Sequence, residues 1–188
     1  MIFPNLQVFR FNYVPDYPSN PDPKIFIKFL KNNGKTLINL CISGFTDKLL
    51  NLSIIQCCPN LKNLVIIIQK DELDTLKNTF NGCQYLESIK ICGHFINEKE
   101  ILRVIAKYSP KNFHKLRICN YEESKLLPEE LESFFISWGK RIPQKLLTFI
   151  TIHSLNEENM IIIEKYMKLG IVKEFKTEGY DVNEYLFS

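Results

Sequence analysis

A short pattern of apolar positions, apolar-x-x-apolar-x-apolar, recurs along the chain. It falls on Leu6, Phe9 and Phe11; on Leu37, Leu40 and Ile42; and on Leu61, Leu64 and Ile66. It continues on Leu86, Ile89 and Ile91; on Phe113, Leu116 and Ile118; and on Leu147, Ile150 and Ile152. Val172, Phe175 and Thr177 make a degraded last copy. First positions lie 31, 24, 25, 27, 34 and 25 residues apart. The last two apolar positions of each copy alternate as in a short strand with one buried face. Strands at this spacing stack in parallel, and a parallel pair needs a crossover of roughly a dozen residues, usually helical.

The intervening stretches meet that need. Residues 47–57 place Leu50, Ile54 and Cys57 on one helical side, and residues 71–80 do the same with Leu73, Leu76 and Phe80. Residues 97–108 open with Asn97 and Glu100 in capping-box spacing. Residues 128–138 carry proline in the first turn. Residues 156–167 present Met160, Ile163 and Met167, and a short helix is expected at 24–30 behind Asp22 and Pro23. No unit can bury both its strand face and its helix stripe, so neighbours must do it for each other. The expectation is one α/β domain over 1–188, a curved leucine-rich-repeat solenoid of about six units. Such a solenoid is ribonuclease-inhibitor-like, with parallel strands on the concave side and helices on the convex side. Insertions near 15–22 and 120–127 lengthen two units.

The second unit, LINLCISGFTDKLLNLSIIQCCPNLKNL over 37–64, resembles the cysteine-containing leucine-rich repeats of F-box proteins. Thr46-Asp47 corresponds to that family's helix start and Cys58-Pro59-Asn60-Leu61 to its return into the next strand. Gly82-Cys83-Gln84-Tyr85-Leu86 is a weaker copy. The family's Cys or Asn after the strand is replaced by Val14, Phe45, Gln69, His94, Tyr121 and Leu155. The resemblance implies a substrate-binding region of a ubiquitin-ligase receptor. A Skp-type adaptor and a cullin would be partners only if a longer form carries the F-box, which is not visible here. Phe3, Leu6, Phe9 and Phe11 read as an unprotected end, which points to sequence or a partner before Met1. Tyr180, Tyr185 and Phe187 are candidates to cap the other end.

In such a fold the strand residues pointing away from the helices line the concave surface. The candidates for partner binding are Arg10, Asn39, Asn63, Val65, Ile67, Lys90, Lys115, Arg117, Phe149 and Thr151. Lys90, Lys115 and Arg117 form a cationic cluster beside apolar Val65, Ile67 and Phe149. Apolar side chains ringed by cations suit a protein target, with an acidic segment the natural match. The sixth unit admits a one-residue alternative register through Leu146.

Charge adds little: Lys plus Arg number 24 and Asp plus Glu 21, for a net charge of +3, which argues against a general nucleic-acid binder. An RNA- or phosphoinositide-binding module using the three cations is the minor alternative, and a stand-alone scaffold or regulatory adaptor is another. The six cysteines follow the repeat and read as reduced thiols of a cytoplasmic or nuclear protein. Cys92, Cys119 and His153 are expected side by side as small half-buried residues, since a row on a sheet converges poorly on a metal. His94 is expected to point into the core. No nucleophile, phosphate-loop or metalloprotease motif is present, so neither catalysis nor a cofactor or metal is expected.

Overall fold

The computed structural model describes residues 1–12, 21–45, 47–69 and 72–179. Its strands are β1 (Val8–Asn12), β2 (Asn39–Ser43), β3 (Asn63–Ile67), β4 (Ser88–Gly93), β5 (Lys115–Asn120), β6 (Leu147–Thr151) and β7 (Val172–Thr177). They form one seven-stranded sheet in sequence order, and each neighbouring pair is parallel. Between them run α1 (Pro23–Asn33), α2 (Lys48–Cys57), α3 (Leu73–Gly82), α4 (Glu98–Tyr108), α5 (Pro128–Gly139) and α6 (Glu157–Lys168). Consecutive helices pack on one another, which places them together on one face of the sheet. The insertion at 15–22, except its last two residues, lies outside the described residues. So do Asp71, where the third helix was expected to begin, and the aromatic residues Tyr180, Tyr185 and Phe187.

Local chemistry sets the helix starts. The side-chain oxygens of Asp22, Asp47, Asn97 and Asn156 accept from the backbone N–H groups of Lys24, Leu50, Glu100 and Asn159 at 2.7–3.3 Å. Each satisfies a first-turn donor that has no partner within the helix. At α5 the Glu130 carboxylate accepts from the Leu127 N–H at 3.2 Å, and Pro128 supplies a preset first turn.

The inner positions form one continuous core. Leu40, Leu64, Ile89 and Leu116 stand side by side on β2 to β5, with Leu37, Leu61, Leu86 and Phe113 buried where the chain enters those strands. Helix residues Leu50, Ile54, Leu76, Phe80, Ile101, Ile105, Leu131, Phe135 and Ile163 close over them. Truncating one such side chain to alanine costs about 2–5 kcal/mol. The N-terminal strand is less bare than its sequence suggests. Phe9 and Phe11 are half-buried, and their rings pack at a tilt against Phe29 and Phe26 of α1, with centroids 4.4 and 4.7 Å apart. The Asn33 side chain accepts from the Phe3 N–H at 2.6 Å, which ties the first residues to the end of α1.

The sixth unit corrects the expected register. Phe149 pairs with Leu116 and Thr151 with Ile118, so Phe149 and Thr151 belong to the core side. Ile150 stands beside Arg117 on the opposite face. Phe149 is 1 % exposed and packs against the rings of Phe135 and Phe175 at 6.4 and 5.7 Å. Leu147 stays fully buried at the strand entrance, two residues before Phe149 instead of the usual three. The β6–β7 pairing slips by one residue beside it: Leu147 faces Val172, whereas Thr148 faces Glu174.

Candidate partner-binding face

On the face away from the helices, side chains line up in rows across the strands. One row runs Val8, Asn39, Asn63, Ser88, Lys115, Thr148 and Glu174. The next runs Arg10, Cys41, Val65, Lys90, Arg117, Ile150 and Lys176. A third brings Ile67, Cys92 and Cys119 together, and with Ile152 they form a small buried cluster separate from the main core. Of the residues expected on this face, the structure therefore places Arg10, Asn39, Asn63, Val65, Ile67, Lys90, Lys115 and Arg117 there. Phe149 and Thr151 are removed from it by the register of β6, and Ile150 and Thr148 take their places.

Over β1 to β5 these rows form a groove of about 350 Å³ lined by four cations, Arg10, Lys90, Lys115 and Arg117. Its floor is amide and apolar. The Asn63 side-chain N–H donates to Asn39 at 2.5 Å, and Val65 lies between Cys41 and Lys90. No carboxylate lines the groove among the described residues. Lys90 and Arg117 are direct cross-strand partners. Like charges in that position destabilise a sheet. The arrangement is held where β7 ends: the Glu178 carboxylate meets the Arg117 guanidinium at 2.5 Å. The Glu178 N–H donates to the Thr151 carbonyl at 2.8 Å, which fixes that reach. Farther along, Lys176 pairs with Glu174 at 2.8 Å.

Sequence reading missed Glu178. The signal was present, because Glu174, Lys176 and Glu178 recur at every second residue and so share one side of a strand.

The cysteines take their expected places, with Cys92 beside Cys119 and Cys58 and Cys83 buried, whereas His153 and His94 do not. All six thiols are free. Burial, with Cys57 and Cys83 nearby, pushes the Cys58 thiol up to about 12, and burial alone pushes Cys83 up to about 11. Cys92 is also raised, first by its hydrogen bond with Cys119 and then by burial. These groups pack as small apolar residues. Because β6 is shifted, Ile152 joins the two cysteines in their cluster. His153 lies instead near Glu98 and helps hold that carboxylate charged. His94 is exposed rather than buried, its ring 4.7 Å from Tyr121 and its Nδ1 3.8 Å from Glu122. The cause lies in the chain around it. Gly93 presses on the Ile68 carbonyl, where a Cβ would come within 2.3 Å. Phe95 then adopts a φ of 53°, and Ile96 enters the core.

A second cleft, of about 790 Å³, opens where the chain leaves β4 and β5. Its floor holds Glu98, which accepts from the Ser124 hydroxyl at 2.5 Å and also interacts with Asn120 and the Lys125 backbone. These bonds spend the carboxylate on holding the 121–127 loop against α4. Among the described residues, no group of three or more His, Cys, Asp or Glu is placed to hold a metal ion, and no helix is long and apolar enough to cross a membrane.

No protein-family model matches the chain, and no curated protein matches it significantly.

Proposed function

We propose that this chain is a leucine-rich-repeat solenoid that recognises a protein partner without catalysing a reaction, and that the groove over β1 to β5 is its binding surface. The sequential parallel sheet, with helices on one face and repeat steps of 24–34 residues, supports the solenoid reading. The observation that carries the function is the groove's composition: four cations, of which Arg117 is met by Glu178, around an amide and apolar floor. Cations and apolar groups presented together bind best where a partner supplies acidic and apolar side chains at once. The likeness of residues 37–64 to F-box repeats makes the partner a candidate substrate of a ubiquitin ligase, in a cytoplasmic or nuclear setting.

The test is affinity purification of the native protein beside two charge reversals. A partner held by the wild type should be lost from Lys90→Glu/Lys115→Glu and kept by Lys107→Glu, an exposed change on α4. Retention by the first variant and loss from the second would place binding on the helices. Co-purification of a Skp-type adaptor and a cullin would support the ligase role, and their absence from the partner complex would leave an independent scaffold.

A further inference from the structure

We infer that Glu178 is a built-in competitor for the groove, and that the groove's ligand is an extended acidic protein segment whose carboxylate displaces Glu178 from Arg117. This inference rests on the reading of the groove as a binding surface and adds the ligand's chemistry and a control on its affinity.

Three features carry it. Lys90 and Arg117 oppose each other on β4 and β5, whose backbones run about 4.8 Å apart. Lys115 lies on the same face of β5, two residues from Arg117. The three positive charges therefore occupy a patch small enough for one or two carboxylates to touch them all. Among the described residues, Glu178 brings a carboxylate to this patch from the far side of β6. The anchor is short, since the Glu178 N–H is held by Thr151 and the side chain crosses β6 to reach Arg117.

Glu178 reaches only the Arg117 end of the groove. The Glu178 side chain is 37 % exposed and that of Arg117 17 %. Because the Glu178 end of the pair is open to water, its carboxylate can be exchanged for a better-placed one. An incoming segment that also engages Lys90, Lys115 and Arg10 gains contacts that Glu178 cannot make. Its apparent affinity is lowered by the fraction of molecules in which Glu178 holds Arg117. An acidic protein segment is favoured over RNA because the floor offers amides and aliphatic side chains, with no aromatic side chain in the lining for bases to stack on.

The experiment measures fluorescence anisotropy of a labelled oligo-glutamate peptide titrated with the full chain at low and high salt. Oligo-glutamine and oligo-uridine serve as the comparison probes. Oligo-glutamate should bind, oligo-glutamine should not, and both Lys90→Glu and Lys115→Glu should weaken binding. Glu178→Gln should tighten it about two- to fivefold. That gain should vanish when Arg117→Gln is added, and thermal melts should show each variant folded. If the lysine reversals weaken binding and Glu178→Gln does not strengthen it, the competitor is refuted and the groove stands. If oligo-glutamate binds neither the wild type nor Glu178→Gln, or ignores the lysine reversals, the groove reading itself fails. Tighter binding of oligo-uridine through the same lysines would replace the protein ligand by RNA.

Discussion

Glu98 sits at the first position of α4, where the helix terminus favours negative charge, yet its carboxyl titrates above the ordinary value of 4.5. Burial dominates, and the hydrogen bonds from Ser124 and Asn120 and the proximity of His153 offset it only in part. The folded state thus holds this proton more tightly than the unfolded chain does. The resulting stability is fully present below the unfolded carboxyl range and is lost as pH rises through the raised folded value. Glu98→Gln keeps an oxygen for Ser124 and removes the buried charge. Its melting temperature should exceed that of the wild type at neutral pH, and the gap should close as pH falls toward 4.5. A gap that stays constant across that range would mean that the carboxylate's charge carries no cost at this site.

At the scale of single elements, β6 is the instructive case. All five of its residues are buried, so alternation of apolar and polar side chains cannot tell its two faces apart. Ile150 and Ile152 fit the repeat as well as Phe149 and Thr151 do. What decides is volume: the core side holds Phe135 and Phe175, and the Phe149 ring fills the space between them. Phe149→Ala should therefore cost about 3–5 kcal/mol in urea unfolding, as a buried aromatic does. A loss below about 0.5 kcal/mol, typical of a surface position, would mean that the ring does not fill that core space. The other strands were legible because each has one wet face, and the helices because their caps and apolar stripes agree. Glu178 was harder to find, since it lies beyond the repeat and acts across β6. His94 was misplaced because the bend at Gly93 and Phe95 depends on contact with Ile68, far away in sequence.

Across the described residues, every strand is hydrogen-bonded only to its sequence neighbours, and the helices follow the same order. Contacts that join only successive units make stability a sum of unit and interface contributions, so damage should stay local. Leu40 of β2 is 2 % exposed and packs at the N-terminal end of the core, whereas β5 and β6 lie three and four strands away. Leu40→Ala should remove about 2–5 kcal/mol from the units it touches. Amide hydrogen exchange can follow this strand by strand, because each strand reports the cheapest opening that exposes it. Protection should fall in β1, β2 and β3 and remain near wild type in β5 and β6. The groove has members at both ends of that range, Arg10 on β1 and Arg117 on β5, so the same variant should lose the Arg10 end while the pairing of Arg117 with Glu178 survives. An equal loss of protection in all seven strands would instead mean that the sheet opens as one cooperative body, and that the groove forms or disappears as a whole.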